Sequence, residues 1–220
     1  MNRIVEPELM DGAEQAEAYA IADFAEVNAA FVRSFRTRFP SFERGTIVDL
    51  GCGPADIAVR LARALLQVRV VAVDGSPTML AHARTAVDGA GLTDRIEPRQ
   101  SLLPGVQTRG RRFDAVVSNS LLHHLHDPQV LWSEIKRLVR TGGPILVVDL
   151  MRPTTVDDAR RIVETYAGNE RAILKTDFYN SLLAAFTVDE VRAQLRVAGL
   201  DGRLTVEPTS DRHLTVSGSG

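Results

Sequence analysis

Two kinds of hydrophobic pattern alternate along the middle of the chain and predict an α/β fold. Short runs rich in β-branched residues predict five strands, at 46–51, 69–75, 95–101, 113–120 and 144–150. The segments between them repeat apolar residues at helical spacing, as Ile57, Leu61 and Leu65 do. The alternation predicts a Rossmann-like, doubly wound, mostly parallel sheet with helices on both faces.

Capping residues mark where several helices begin. Two starts combine an N-cap residue with proline at the first helical position: Ser76-Pro77, for a helix to about residue 88, and Asp127-Pro128, for one to about residue 142. Thr187 and Glu190 predict a capping box for a helix ending at Gly199. Strand-like runs at 203–206 and 213–216 predict an antiparallel C-terminal hairpin, which completes a seven-stranded sheet.

The two predicted helical covers lie outside the alternating core. We expect one helix over 14–39, with Asn28 on its apolar stripe, and further helices over 152–186. Both are expected to cover a crevice at the edge of the sheet. The whole is predicted to be a single domain over 1–216, divided into 1–44, 45–151, 152–186 and 187–216. The final Ser-Gly-Ser-Gly, 217–220, is expected to be a linker outside the domain.

Charge and cysteine content exclude several classes of function. Lysine and arginine total 26 against 28 acidic residues, so the basic surface typical of nucleic-acid binding is not expected. The lone Cys52 cannot form an internal disulfide and fits a reducing, cytoplasmic location. No apolar run approaches the roughly 20 residues that span a bilayer, and the acidic start does not resemble a signal peptide.

The most informative segment is V-D-L-G-C-G-P at 48–54, where a buried strand enters a glycine-rich turn before a helix. Gly51 and Gly53 permit a sharp turn and close approach of a ligand. A dinucleotide site would use G-x-G-x-x-G, but Asp56 stands at the third glycine position and would repel a pyrophosphate. Asp49 adds a second acid. An acidic turn favours a ligand with an ammonium and a sulfonium group, S-adenosylmethionine, over a nicotinamide dinucleotide.

The end of the second strand supplies a second part of the expected cofactor site. Asp74 follows that strand and can accept hydrogen bonds from a ribose diol. Gly75 and Ser76 are adjacent and are assigned to the same site. Met79, one turn into the next helix, either packs on the adenine or fills the core.

Four motifs together resemble the class I S-adenosylmethionine-dependent methyltransferases. They are V-D-L-G-C-G-P (48–54), V-D-G-S-P-T-M-L (73–80), F-D-A-V-V-S-N-S-L-L-H-H-L (113–125) and G-G-P-I-L-V-V-D-L (142–150). The resemblance covers about 45–150 and is nearest to the small-molecule group of ubiquinone and menaquinone biosynthesis. It implies S-adenosylmethionine as the cofactor and a small-molecule methyl acceptor.

The resemblance also implies roles for individual residues. Asp49, Gly51 and Gly53 would line the amino-acid part of the cofactor, with Cys52 between them, and Asp74 would hold the ribose. Ser101 and Leu102 would border the adenine. Many relatives carry an acid near that position, where this chain has Gln100 and Ser101, so a backbone contact is the alternative there.

Asn119 and Ser120 would flank the transferred methyl group. Nucleic-acid enzymes of this fold that methylate amino groups carry Asn/Asp-Pro-Pro-aromatic there, whereas this chain continues with Leu121 and Leu122. This difference opposes a base-methylating enzyme. A methyltransferase acting on protein or RNA, and a non-catalytic S-adenosylmethionine-binding module, remain alternatives. An NAD-dependent reductase is opposed by Asp56.

Three histidines follow, His123, His124 and His126. One of His123 and His124 is predicted to be the catalytic base for an acceptor hydroxyl, and the alternative is a structural histidine that bonds the loop backbone. Adjacent side chains point in different directions and no H-x₃-H spacing occurs, so we expect no metal site. Direct methyl transfer needs no covalent intermediate, so Cys52 is expected to pack within the turn.

Aromatic and amide side chains of the covers complete the predicted site. Tyr19 is expected to shield the sulfonium by a cation–π contact. The acceptor is expected to contact Asn28, Tyr166, Tyr179 and Asn180. Ordinary helix packing is the alternative for each of them. Asn28 is the strongest candidate among them for a functional role, because an amide on an apolar stripe needs a hydrogen-bond partner.

Overall fold

A computed structural model describes residues 1–9, 12–22, 24–108 and 110–220. Seven strands form one sheet: β1 (Arg44–Leu50), β2 (Gln67–Asp74), β3 (Ile96–Gln100), β4 (Ala115–Asn119), β5 (Pro144–Leu150), β6 (Leu204–Pro208) and β7 (His213–Ser219). The helices of the described residues are α1 (Ala13–Ile21), α2 (Ala25–Arg38), α3 (Asp56–Ala64), α4 (Pro77–Gly89), α5 (Gln129–Leu138), α6 (Val156–Ala167), α7 (Ala172–Ala184) and α8 (Val188–Ala198). None of these helices is long and apolar enough to cross a membrane.

The sheet has the order β3-β2-β1-β4-β5-β7-β6, which confirms the predicted fold class. The first five strands are parallel, and β7 lies antiparallel between β5 and β6. The strand order reverses between β1 and β4. Open α/β sheets bind ligands at the carboxyl ends of the strands beside such a reversal.

The sheet is buried on both faces, as the apolar strands predicted. On one face Phe31, Phe35 and Leu61 of α2 and α3 pack on β1 and β2. On the other, Trp132 of α5 and Leu195 of α8 pack on β4 and β5. Each side therefore has its own hydrophobic core, and the strand ends that carry polar residues are held rigidly between them.

The prediction of one helix over 14–39 is wrong. The helix α1 ends at Ile21 and α2 begins at Ala25, with Ala22 in an extended conformation (ψ 146°). The helix α1 packs against α4 and α7, whereas α2 packs against α3. A straight helix of this length would extend about 39 Å and would not bend to meet both surfaces.

The expectation that residues 217–220 lie outside the domain is also wrong. Ser217 and Gly218 pair with Leu146 and Ile145 of β5, and β6 lies on the other side of β7. The tail is therefore an interior part of the sheet. The helix predicted to run to about residue 142 ends earlier, at Leu138, because Val139 forms a parallel bridge with Phe113.

The capping box of α8 is confirmed and allows a stability prediction. The Thr187 hydroxyl accepts the Glu190 N–H (3.3 Å), and the Glu190 carboxylate accepts the Thr187 N–H (2.8 Å). We expect Thr187→Ala to lower the free energy of unfolding by about 1 kcal/mol, because it leaves a helix N–H unpaired. Urea denaturation would measure this. Thr165→Ala, on the exposed face of α6, is the control and should change stability less.

Candidate active site

A cleft of about 1560 Å³ opens at the carboxyl ends of β1, β2 and β4, beneath the covers α1, α2, α6 and α7. Most of the predicted cofactor residues line it: Tyr19, Asp49, Gly51, Cys52, Gly53, Asp74, Gly75, Ser76, Met79, Ser101, Leu102, Asn119 and Ser120. Among the predicted acceptor and catalytic residues, Asn28, His123, His124 and Tyr166 line it as well. The fold thus brings together residues from eight separate segments of the chain.

The glycine-rich turn has the backbone geometry that its sequence indicated. Gly51 (φ 72°) and Gly53 (φ 51°) both adopt left-handed conformations. A Cβ on Gly51 would lie 2.9 Å from the Leu121 side chain, so this glycine is needed for packing against the neighbouring loop. At Gly53 the nearest atom is Cε1 of Tyr19, at 4.0 Å, so its backbone faces the open cleft. We therefore propose Gly53 as the position at which a ligand approaches the backbone.

Asp49 is the most unusual group in the cleft. Its side chain is buried, and neither carboxylate oxygen has a hydrogen-bond partner among the described residues. Burial, reinforced by the negative charge of Asp74, raises the pKa of Asp49 to about 7. A buried carboxylate is costly unless it is paired. An ammonium group bound beside it would supply the missing partner, so the residues fit the amino-acid part of the expected cofactor.

Asp74 organises the backbone on both sides of the cleft. Its Oδ2 accepts the Gly53 N–H at 2.8 Å, and its Oδ1 accepts the Ser76 N–H at 2.9 Å. A carboxylate oxygen can accept more than one hydrogen bond, so Asp74 can also bind ribose hydroxyls. The spacing of Asp74 after the glycine turn predicted its position, but the bonds that fix its orientation are visible only in the structure.

Asp56 contributes less negative charge to the turn than its place in the sequence suggested. Asp56 is held by Arg60, whose Nε lies 2.7 Å from Oδ2, and by Asn28, whose Nδ2 donates to the same oxygen at 2.7 Å. Its charge is therefore partly neutralised. Asn28 has the partner that its place on an apolar stripe required. Asp49, whose carboxylate has no hydrogen-bond partner among the described residues, is the acid that we propose to favour a cationic ligand.

Residues around Gly75 form the predicted adenine side of the cleft. Met79 is buried, and its N–H donates to Ser76 Oγ at 3.2 Å. The Ser101 N–H donates to Asp74 O at 3.0 Å. Leu102 is largely exposed and packs over Gly75, where a Cβ would lie 2.8 Å from its Cδ2. These contacts place the apolar surface expected for a flat, aromatic group next to Asp74.

The end of β4 contains a strained residue. Ser120 has φ 55°, a conformation uncommon outside glycine, and its N–H donates to Val148 O at 2.9 Å. Such strain is concentrated at functional sites. Asn119, just before it, also lines the cleft. Cys52 is buried in the core, and burial raises the pKa of its thiol, in accord with a packing role.

His123 is held by a buried carboxylate. Its Nδ1 lies 2.6 Å from Asp149 Oδ1, and Asp149 also accepts the N–H groups of Leu122 and Leu150, each at 2.7 Å. Burial lowers the pKa of His123, but the charge and hydrogen bond of Asp149 outweigh burial and raise it. The remaining nitrogen, Nε2, lies 3.5 Å from Oε1 of Glu6.

Glu6 completes a cluster that the sequence did not reveal. Its Oε1 lies 3.5 Å from His123 Nε2 and 3.2 Å from His124 Nδ1. Burial and the positive charge of His123 lower the pKa of His124 to about 3, so this ring is neutral. Its Nδ1 is buried and has no hydrogen bond among the described residues. Glu6 was missed because 117 residues separate it from His123.

The acceptor residues predicted from the covers divide into two groups. Tyr166 lines the cleft, where its hydroxyl donates to Asp211 at 3.0 Å. Tyr179 and Asn180 do not line it: Tyr179 packs on the core between α6 and α7, and Asn180 is exposed. Because of the helical periodicity of α7, Tyr179 and Asn180 face away from the cleft, whereas Phe178 faces it. Asp177 also faces the cleft, with a buried Oδ2 that lacks a partner among the described residues, and sequence analysis missed it.

With this geometry in place, comparison with known proteins defines the class of the domain. Residues 47–143 match a family described as "Methyltransferase domain". The resemblance to the class I S-adenosylmethionine-dependent methyltransferases is therefore confirmed. The match covers the central α/β core, which is therefore similar to methyltransferase domains.

Two curated relatives and two solved structures illustrate the similarity. Trans-aconitate 2-methyltransferase of Azoarcus sp. is 31% identical over 64% of this chain and 53% of its own length. A ubiquinone biosynthesis O-methyltransferase of Cereibacter sphaeroides is 28% identical over 58% and 49%. The chain thus spans about half the length of these relatives.

The structural matches extend over nearly the whole chain. A SAM-dependent methyltransferase from Aquifex aeolicus superposes with TM-score 0.68 at 16% identity, covering 93% of this chain and 97% of that one. The plantazolicin methyltransferase BpumL, in complex with a pentazolic desmethylPZN analog and SAH, gives TM-score 0.73 at 12% identity, covering 96% and 92%. At such identities these matches establish the fold alone.

Proposed function

We propose that the protein binds S-adenosylmethionine in the cleft and transfers its methyl group to a small-molecule acceptor. The observation that carries the proposal is the buried carboxylate of Asp49, which lies beside a glycine-rich turn and has no hydrogen-bond partner among the described residues. This arrangement favours an ammonium-bearing ligand and opposes a diphosphate. The volume of the cleft supports a second ligand, since single-ligand pockets usually measure about 300–1000 Å³.

In the proposed reaction, a bond forms between the acceptor atom and the methyl carbon while the carbon–sulfur bond breaks. The bound cofactor supplies an activated methyl group on a sulfonium. The protein contributes alignment and exclusion of water, which can lower the barrier by about 7–11 kcal/mol. Tyr19, which packs on Phe24 with ring centroids 4.8 Å apart, and Phe178 are proposed to shield the reacting groups.

We propose that the acceptor lies next to His123 and Phe178, and that His123 activates its nucleophilic group. Asp149 fixes the ring through Nδ1, and Nε2, which lies 3.5 Å from Glu6 Oε1, would take the proton of the acceptor when the ring is neutral. His124 is the weaker choice for this role, because its lowered pKa makes it a poor acceptor of protons. The similarity to a trans-aconitate methyltransferase and to a ubiquinone biosynthesis O-methyltransferase supports a carboxylate or a phenol as the acceptor group.

Calorimetry and a turnover assay would test the proposal. We expect S-adenosylmethionine and S-adenosylhomocysteine to bind and NADH not to bind. A panel of small polycarboxylates, phenols and thiols would then be assayed for release of S-adenosylhomocysteine. Binding of NADH in place of S-adenosylhomocysteine would overturn the cofactor assignment. Transfer of a labelled methyl group only to protein or RNA would overturn the acceptor class.

A further inference from the structure

We infer that Glu6, His123 and His124 form a binding site for a divalent transition-metal ion such as Zn²⁺. Each residue offers one ligand atom, and the three atoms lie within 4.8 Å of one another. His123 and His124 line the cleft, so a bound ion would face the space proposed for the acceptor. The expectation of no metal site considered only 123–126, and Glu6 arrives from the N-terminal segment.

The distances suit tetrahedral coordination. Bonds of about 2.0–2.1 Å from a zinc ion to nitrogen or oxygen place neighbouring ligand atoms about 3.4 Å apart. The Glu6 Oε1 atom lies 3.2 Å from His124 Nδ1 and 3.5 Å from His123 Nε2. An ion can therefore enter with small adjustments of the side chains.

The surroundings of the cluster are those that metal-binding histidines normally have. A histidine ligand usually donates its other ring N–H to a carboxylate, which orients the ring and strengthens the ligand. Asp149 does this for His123 and is itself fixed by two backbone N–H groups. Ser181 donates to both oxygens of Glu6, at 3.1 and 3.3 Å.

Arg3 fixes the segment that carries Glu6. It donates to the carbonyl oxygens of Ala184, His123 and Leu125, so the N-terminal segment is tied to the same loop as the two histidines. The three ligand groups are therefore held in place before any ion binds. This reduces the ordering cost of binding.

A protonated His123 between two carboxylates is the competing explanation of the cluster. It accounts for Asp149 and Glu6, but it leaves the buried Nδ1 of His124 only 3.2 Å from Glu6 Oε1 with no hydrogen bond to it among the described residues. An ion bound to Glu6 and both histidines accounts for all three groups. Two histidines and one carboxylate also leave a coordination position for an exogenous oxygen. An acceptor oxygen bound there would be activated by the ion as a Lewis acid, and this would replace activation by His123, whose Nε2 would then bind the ion.

Metal titration of untagged, chelator-treated protein would test this inference. Calorimetry with Zn²⁺, and visible absorption with Co²⁺ as a probe of coordination, should show one ion bound per chain. Glu6→Gln, which can still bond Ser181, and His124→Ala should each weaken binding by at least about tenfold. His82→Ala is the control, because this partly exposed histidine of α4 lies outside the cluster; it should bind like the wild type.

A second measurement needs no variant and so does not depend on their folding. The ring-nitrogen NMR signals of His123 and His124 should shift on addition of Zn²⁺, while those of His82, His126 and His213 should not. Absence of binding, or shifts confined to the other histidines, would overturn the inference. The proposed methyl transfer is judged separately by S-adenosylhomocysteine binding to the metal-free protein, so failure of one does not imply failure of the other.

Discussion

Asp49→Asn is expected to stabilise the ligand-free protein at pH 8 and to weaken binding of S-adenosylmethionine. The pKa of Asp49 is about 7 in the folded protein, against about 3.9 for an unfolded aspartate. The unfolded chain therefore loses this proton first as the pH rises, and the stability contributed by this group falls between about pH 4 and 7. By pH 8 the cost is about 4 kcal/mol, and the unpartnered amide of asparagine offsets part of the gain.

We expect a net gain of about 2 kcal/mol at pH 8 and a smaller one at pH 5, measured by urea denaturation of the ligand-free protein. Asp201→Asn, at an exposed turn, is the control and should change little at either pH. Calorimetry should show S-adenosylhomocysteine binding weakened at least about tenfold in Asp49→Asn, because a charge-assisted contact is lost. Tight binding by this variant would contradict the assignment of Asp49 to the ammonium group.

Asp74→Ala is expected to reduce the affinity for S-adenosylhomocysteine about 100-fold. Two hydrogen bonds between a carboxylate and the ribose hydroxyls contribute about 3 kcal/mol together, which corresponds to that factor. Calorimetry would measure the loss. Asp94→Ala removes an exposed acid outside the cleft and is expected to bind like the wild type.

A double-mutant cycle is needed, because Asp74 also bonds the N–H groups of Gly53 and Ser76. The wild type should prefer S-adenosylhomocysteine over its 2′-deoxy analogue, and Asp74→Ala should lose most of that preference. If the variant bound weakly but kept the full preference, Asp74 would be a residue that only shapes the turn, and the ribose assignment would be wrong.

Much of the site near the strand ends could be predicted from the sequence. A strand, a glycine turn and a helix impose their geometry locally, so the positions of Gly51, Gly53 and Asp74 follow from their spacing. The capping signals at Ser76 and Thr187 acted in the same way, because a cap involves only residues three apart. The covers were less predictable: Phe178 reaches the cleft while Tyr179 and Asn180 do not, and the packing of α7 decides between them.

The alternating α/β core, the glycine turn and the acid that follows the second strand all follow from the order of residues, since each depends on short-range periodicity and backbone conformation. Which charges meet depends instead on the tertiary structure. It pairs Asp56 with Arg60 and leaves the carboxylate of Asp49 without a hydrogen-bond partner in the part of the chain that the structure describes. It also brought Glu6 against two histidines more than a hundred positions away. Electrostatic and metal-binding properties depend on distance in space, which the linear order of residues does not specify.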